Sequence, residues 1–214
     1  FNFRYAWNHW KDIGSKQHWN IPNIKLSKKI DDNFTCNEFK HLNGGCVIYN
    51  YVKSNMFNDI PKKNYKYNIG IMGFLPKIKR LDIAIDILEK IIKIDKRYKL
   101  HILGKRHKKS SNNENEEETE YYMNICQRIN SSKLKRHIIY NKYTDSPELW
   151  FKNIGFLLSL SDIEGSHQAV AEAMATGTIP FIYGNALREY KLDKIYPKKY
   201  CFYEDNIDNL INQI

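Results

Sequence analysis

From residue 46 onward, short apolar runs alternate with stretches of helical periodicity. The runs CVIY (46–49), NIGIMG (68–73), KLHILG (99–104), HIIY (137–140), GFLLSLS (155–161) and TIPFIY (178–183) are branched or aromatic and bounded by turn residues, so each predicts a strand. Between them, KRLDIAIDILEKIIKI (79–94) sets Leu81, Ala84, Ile85, Leu88, Ile91 and Ile92 at 3.6-residue spacing, which predicts an amphipathic helix. Further helices are predicted over 118–130, 146–153 and 167–176. Ser146 is expected as an N-cap with Pro147 in the first turn, and Gly177 as a helix stop. Strands that are apolar throughout, alternating with helices, predict an α/β fold: a parallel sheet covered on both faces.

The first 45 residues do not follow this alternation. IKLS (24–27) is a candidate strand, and the aromatics of FNFRYAWNHW together with Trp19 are expected to pack in a core or interface. The chain is therefore divided into 1–45, the end of a preceding domain and a linker, and 46–214, an α/β domain. It is read as a fragment of a longer protein. Residues 105–120, a basic block followed by an acidic one, are expected to form a mobile surface loop running into a helix start.

Composition adds three limits. With 42% hydrophobic and 14% aromatic residues, the chain is a folded globular protein. The four cysteines, Cys36, Cys46, Cys126 and Cys201, show no C-x-x-C spacing, which argues against zinc and redox sites and for reduced thiols. The net charge of +10 is local: residues 51–109 carry 16 Lys+Arg against 5 Asp+Glu. Such an excess suits an anionic partner, although most single lysines are expected to be solvated.

Ligands of parallel sheets sit at the carboxyl ends of strands, so the strand-to-helix junctions 73–80, 103–109 and 160–168 are where chemistry is sought. In GFLPKIKR (73–80), a glycine at a strand end precedes three cations and a helix start, an arrangement able to approach a phosphate. No G-x-x-x-x-G-K-[ST] or G-x-G-x-x-G occurs, which excludes P-loop and dinucleotide readings. In SDIEGSHQAVAEAMATG (161–177), Glu164 leaves a strand, and a helix beginning near Ser166, His167 and Gln168 carries Glu172 one to two turns in. A helix N-terminus offers N–H groups to an anion, and Glu172 could accept from the hydroxyls of the same ligand. Ala169, Ala171, Ala173 and Ala175 leave room for close approach. His167 reads either as a phosphate contact or catalytic group, or as a satisfied structural histidine.

The stretch SLSDIEGSHQAVAEAMATGTIPFI resembles the signature of family 4 glycosyltransferases: Ser-x-x-Glu-Gly, then Glu-Ala-Met-Ala-x-Gly-x-x-Pro. Looser similarities extend it over about residues 46–205, through CVIYNYVKSNMF, NIGIMGFLPKIKRLDIAI and ELWFKNIGFLLSLSD. This resemblance implies a GT-B architecture, in which a Rossmann-like C-terminal domain holds most of the nucleotide-sugar. It implies a retaining hexosyl-type transfer without a metal or other cofactor, from a UDP- or GDP-linked donor, in surface polysaccharide or glycan synthesis. Its partners would be the nucleotide-sugar and a glycan or lipid-linked acceptor, with no nucleic acid. The implied location is cytoplasmic, with peripheral contact to the cytoplasmic membrane face.

By position, the resemblance gives Glu164 and Lys79 the catalytic roles, Glu164 on the donor sugar's hydroxyls and Lys79 on the leaving phosphate. Glu172 would hold the ribose; backbone N–H groups from His167 through Gln168 to Ala169 would bind the diphosphate, with Ser166 beside them in the donor site; Gly73 would make the close turn, and Tyr143 would border the base. Two positions depart from the pattern. Phe74 stands where an arginine is usual, so Lys77, Arg80, Lys105 or Arg106 would have to supply the second phosphate cation, and His167 stands where glycine is common. The isolated 214 residues are accordingly expected to bind nucleotide and transfer little or no sugar. The competing readings are a non-catalytic module with a degraded site, and a polyanion-binding domain.

Overall fold

The computed structural model describes residues 52, 57, 64–73, 77–104, 116–131, 133–162, 168–184, 196–202 and 207–214, and the backbone of two short strands before them. The chain divides into two compact units, Phe1–Tyr51 and Val52–Ile214. In the first, β1 (Ile24–Lys25) pairs in parallel with β2 (Cys46–Val47). Within CVIY the described strand is Cys46–Val47, which pairs with Ile24–Lys25 of IKLS and is not a strand of the larger sheet. The aromatic opening at 1–19 lies outside the described residues.

The second unit is a six-stranded, wholly parallel sheet in the order β5-β4-β3-β6-β7-β8. Its strands are β3 (Asn68–Met72), β4 (Lys99–Leu103), β5 (Ile138–Asn141), β6 (Phe156–Ser159), β7 (Ile179–Tyr183) and β8 (Cys201–Phe202). The helices are α1 (Leu81–Ile94), α2 (Glu116–Asn130), α3 (Pro147–Phe151), α4 (Gln168–Ala175) and α5 (Ile207–Gln213). The sequence pattern anticipated five of these strands and four of these helices; β8 is too short to declare a period, whereas α5 was missed although Ile207, Leu210, Ile211 and Ile214 stand at helical spacing, the signal that could have found it.

Alternation along the strands sorts the core into two layers. Ile69, Ile71, Leu100, Ile102, Leu158, Phe181 and Tyr183 meet the buried faces of α1, α2 and α5. Leu103, Leu157 and Ile182 point the other way, onto Trp150, Phe151, Val170 and Ala173 of α3 and α4. Helix α1 buries Leu81, Ala84, Ile85, Leu88 and Ile91 as the spacing predicts, and Ile87 as well. Burial of each large member is worth roughly 1.5–3 kcal/mol before ordering costs.

Helix ends show where local rules hold. Helix α4 stops as expected: Gly177 has φ +70°, its N–H donates to Met174 O at 3.1 Å, and Thr178 N–H donates to Ala173 O at 2.9 Å. That pair of bonds is the Schellman pattern. Pro147 opens α3, but the Ser146 side chain makes no capping bond; its backbone N–H instead takes Thr144 Oγ1 at 3.0 Å. The predicted helix at 79 begins two residues later, because Lys77–Lys79 form a 3-10 turn and Arg80 adopts a left-handed conformation, φ 52° and ψ 49°. His137 likewise closes a 3-10 turn before β5 instead of starting the strand.

One polar group is embedded in the second layer. His101, buried on β4, places Nδ1 3.3 Å from Asn141 Oδ1, which also accepts from Trp150 Nε1 at 3.0 Å. Because the shared oxygen only accepts, Nδ1 carries the proton. Burial pushes the imidazole's pKa down, against the Asn141 bond, so the ring is neutral and serves the core. No described helix is long and apolar enough to cross a membrane.

Candidate functional site

In parallel sheets the ligand crevice lies where the chain's path across the sheet reverses. Here that point falls between β3 and β6. From β3 the chain steps outward through β4 to β5, then returns to β3's other flank and steps outward through β6, β7 and β8. The junctions 73–80 and 160–168 therefore leave adjacent strands, about 4.8 Å apart. The third junction leaves β4, and its Lys105 and Arg106 lie outside the described residues, as do Phe74, Glu164, Ser166 and His167.

At the first junction Gly73 has φ +107°, a conformation that disfavours any side chain, and its N–H donates to Leu103 O at 2.7 Å. A β-carbon at Gly73 would lie 2.9 Å from Cγ and 3.3 Å from Cδ of Lys79. The stem of Lys79 is thus laid across the bare glycine. This joins two of the residues singled out in the sequence.

The two junctions are stitched together. Asp162 N–H donates to Ile78 O at 3.0 Å, and Arg80 Nη1 donates to Asp162 Oδ1 at 3.1 Å. Arg80 also holds Asp82 through Nε and Nη2 at 3.2 Å, and Tyr121 Oη donates to Asp82 Oδ1 at 3.0 Å. Burial alone would pull the guanidinium down, but the bonds and charges of Asp82 and Asp162 outweigh it and raise its pKa. Burial likewise opposes ionisation of Asp82, and Arg80 more than reverses it, holding the carboxyl below its usual range.

The opposite end of the 73–80 turn is also engaged. The Lys77 backbone N–H donates to Glu118 Oε2 at 2.8 Å, and its ammonium pairs with Glu117. The acidic end of 105–120, expected to run from a loop into a helix start, forms the first turn of α2 at Glu116, Glu117 and Glu118, and the last two of these clasp this junction. Of the cations offered in place of the missing arginine, Lys77 and Arg80 are therefore bound by carboxylates of this chain. Neither pairing was legible in the sequence, since the partners lie about 40 and 80 positions away.

Arg80 carries a separable expectation. Arg80→Ala removes the guanidinium donors from two half-buried carboxylates, leaving Asp82 only its Tyr121 bond among those described, and should lower unfolding free energy by about 2 kcal/mol. Arg80→Gly loses the same bonds but relieves the left-handed backbone, so it should be milder by roughly 1 kcal/mol. Urea unfolding of both variants measures this; equal losses would mean that φ 52° stores no strain.

At the second junction Gln168 opens α4 and donates from Nε2 to Glu172 Oε1 at 3.2 Å. Glu172 is half-buried, one turn along, about 6 Å up the axis from Gln168. Ala169 lies between them, partly exposed, and Val170 and Ala173 anchor the helix in the core. Tyr143, exposed, follows β5, which is two strands from β3, so its backbone starts about 10 Å from the Gly73 turn. An extended ligand could reach both; a compact one could not. Among the described residues no group of three or more His, Cys, Asp and Glu could hold a metal ion.

Comparison with known proteins agrees with this architecture. No family model matches the chain. A poly(ribitol-phosphate) α-N-acetylglucosaminyltransferase of Staphylococcus aureus (strain COL) is 27% identical over 129 residues, 60% of this chain and 23% of the relative. Among solved structures, S. aureus TarM, in complex with fondaparinux, α-GlcNAc-glycerol and UDP, superposes with a TM-score of 0.64 at 23% identity, over 88% of this chain and 35% of its own. Anabaena Alr3699/HepE with UDP-glucose gives 0.64 at 16% identity, over 89% and 52%. The C-terminal domain of the Francisella tularensis group 1 glycosyltransferase LpcC gives 0.59 at 16%, over 76% and 85%. The chain thus spans about a quarter of the curated relative and about a third of TarM. In its fold, a doubly covered parallel sheet with its crevice between β3 and β6, the chain is similar to domains of GT-B glycosyltransferases.

Proposed function

We propose that this chain is the donor-binding part of a glycosyltransferase that moves a sugar from a nucleotide-sugar to a glycan or lipid-linked acceptor. The observation that carries the reading is the meeting of the Gly73–Lys79 turn with the α4 junction at the sheet's switch point. The TarM structure is a complex with UDP and the HepE structure a complex with UDP-glucose, which makes a uridine donor the first to try.

In this reading the diphosphate lies over Gly73, where the absence of a side chain lets the backbone approach. Lys79 stabilises the negative charge that grows on the leaving phosphate as the glycosidic bond breaks. Glu172 accepts from the ribose hydroxyls, Gln168 orients that carboxylate, and Tyr143 borders the base. Glu164 is assigned to the donor sugar's hydroxyls, and Ser166, His167 and Ala169 to the phosphates, on the strength of the sequence motif. Transfer with retention, without a metal, in polysaccharide synthesis belongs to the same proposal and rests on the resemblance.

A second reading has one specific observation in its favour. Among the described residues of the site, Lys77 and Arg80 are held by carboxylates, which leaves less positive charge for a diphosphate, as a non-catalytic or weakly binding module would. Calorimetric titration of the chain with UDP, GDP, UDP-glucose and UDP-N-acetylglucosamine separates the two. The transferase reading expects one nucleotide to bind, about tenfold more weakly in Lys79→Ala. Absence of binding across the panel, or binding indifferent to Lys79, would favour the module.

A further inference from the structure

Among the described residues, two that are not glycine hold a positive φ: Asn64, of a type that tolerates the left-handed region, and Arg80, of a type that does not. A long side chain keeps that conformation only where its surroundings impose it. Arg80 divides its guanidinium between carboxylates of two different elements. Nε and Nη2 meet Asp82, in the first turn of α1, each at 3.2 Å, and Nη1 meets Asp162, just past β6, at 3.1 Å. The strut is braced from a third side. Tyr121 of α2 donates to Asp82 Oδ1 at 3.0 Å and accepts from the Asp82 N–H at 3.1 Å.

Lys79 is the residue that this strut surrounds. The carbonyl before it, of Ile78, accepts from Asp162 N–H at 3.0 Å, and the amide after it, of Arg80, donates to Lys77 O at 2.9 Å. Both peptide units flanking Lys79 are therefore fixed. Its stem lies across Gly73, where a β-carbon would stand 2.9 Å from Lys79 Cγ. Helix α1 is held in the core by buried Leu81, Ala84 and Ile85. With that helix fixed, returning Arg80 to the right-handed region would swing the preceding peptide, and Lys79 with it, off the glycine.

We propose that Arg80 is a positioning residue: by tying Asp82 to Asp162 it holds its own backbone left-handed, and so keeps Lys79 laid across Gly73. The consequence for phosphate binding rests on the donor-site reading of Lys79; the placement of Lys79 does not. Arg80 thus raises phosphate affinity without touching phosphate. A second phosphate cation would behave differently, because its charge would matter more than its shape. Lysine separates the two roles. It keeps the charge, but a single ammonium cannot grip carboxylates on two sides as the planar guanidinium fork does.

The test is calorimetric titration of the full chain with pyrophosphate, with and without Lys79→Ala, in the parent and in Arg80→Ala, Arg80→Lys and Asp162→Ala. Lys79→Ala should weaken binding about tenfold in the parent and less than about threefold in each of the three variants, which should themselves bind about five- to tenfold more weakly. Asp162→Ala cuts the strut from its far end with Arg80 in place, and it carries the test if Arg80→Ala does not fold. A second readout needs no ligand. Nuclear Overhauser contacts between the Gly73 α-protons and the Lys79 γ- and δ-protons should be present in the parent and lost in the same three variants. Losses that simply add to that of Lys79→Ala, or parental affinity in Arg80→Lys, would make Arg80 a phosphate cation and overturn the proposal. Unchanged contacts in the variants would overturn it as well. If the parent binds no pyrophosphate, the donor-site reading falls and the contacts alone decide: their loss upholds the placement of Lys79, and their persistence overturns it.

Discussion

Glu172→Ala is expected to weaken nucleotide binding by about 10- to 100-fold, the loss of a charged hydrogen-bond acceptor worth on the order of 1.5–3 kcal/mol. The carboxylate is positioned for this by two things. Helix α4 is pinned by buried Val170 and Ala173, and the Gln168 amide holds Oε1 at 3.2 Å. The fold should not suffer, because alanine is the better helix former. The informative comparison is with a 2′,3′-dideoxy nucleotide, which lacks the hydroxyls that Glu172 is proposed to take. Parent chain and variant should bind that ligand alike, so that the penalty disappears in the cycle. Inorganic pyrophosphate should also be insensitive to Glu172 and sensitive to Lys79. A penalty of equal size with the dideoxy ligand would place Glu172 away from the ribose and remove the central assignment of the donor site.

Gly70→Ala should lower unfolding free energy by about 3 kcal/mol, although it adds a single methyl group. Gly70 is the midpoint of β3, between β4 and β6. A β-carbon there would lie 2.5 Å from Cη2 and 3.0 Å from Cζ2 of Trp150, and 2.9 Å from Cγ2 of Ile154. The indole cannot easily retreat. Its Nε1 is bonded to Asn141 Oδ1, the same oxygen that holds buried His101, and its ring meets Phe151 edge-on at 5.1 Å. Displacing it therefore combines overpacking with loss of a buried polar pair. For a unit of this size the melting temperature should fall by roughly 10 °C. A fall of only a degree or two would mean that the second core layer can shift as a body. The variant should still bind nucleotide when folded, since Gly70 lies below the crevice.

The elements that carry Gly73, Gln168 and Glu172 were legible, and the reason is local. Gly73 could be singled out because a glycine closing an apolar run before a basic turn is a backbone signal, and φ +107° bears it out. Glu172 and Gln168 fell on one helix because Gly177 marked where that helix must stop. The start of α1 was misplaced by two residues because nothing in KRLD announces a left-handed arginine. Arg80 takes that conformation through Asp82 and Asp162, and the second of these arrives from another part of the chain. Ser146 has the residue type of a cap, yet its side chain makes no capping bond, a choice between near-equal bonds that residue type does not encode.

The sequence by itself determined the repeating strand–helix plan, the faces each element buries, and the turns where backbone must pass without a side chain. These follow from periodicity and from the conformational limits of glycine and proline, which act over a few residues. Only the tertiary structure decided the strand order, and with it that the β3 and β6 junctions are neighbours. It alone showed Lys77 and Arg80 tied to carboxylates and joined the two junctions through Asp162 and Ile78. Those are contacts between segments tens of residues apart, selected by how whole layers pack, and short-range preferences carry no record of them.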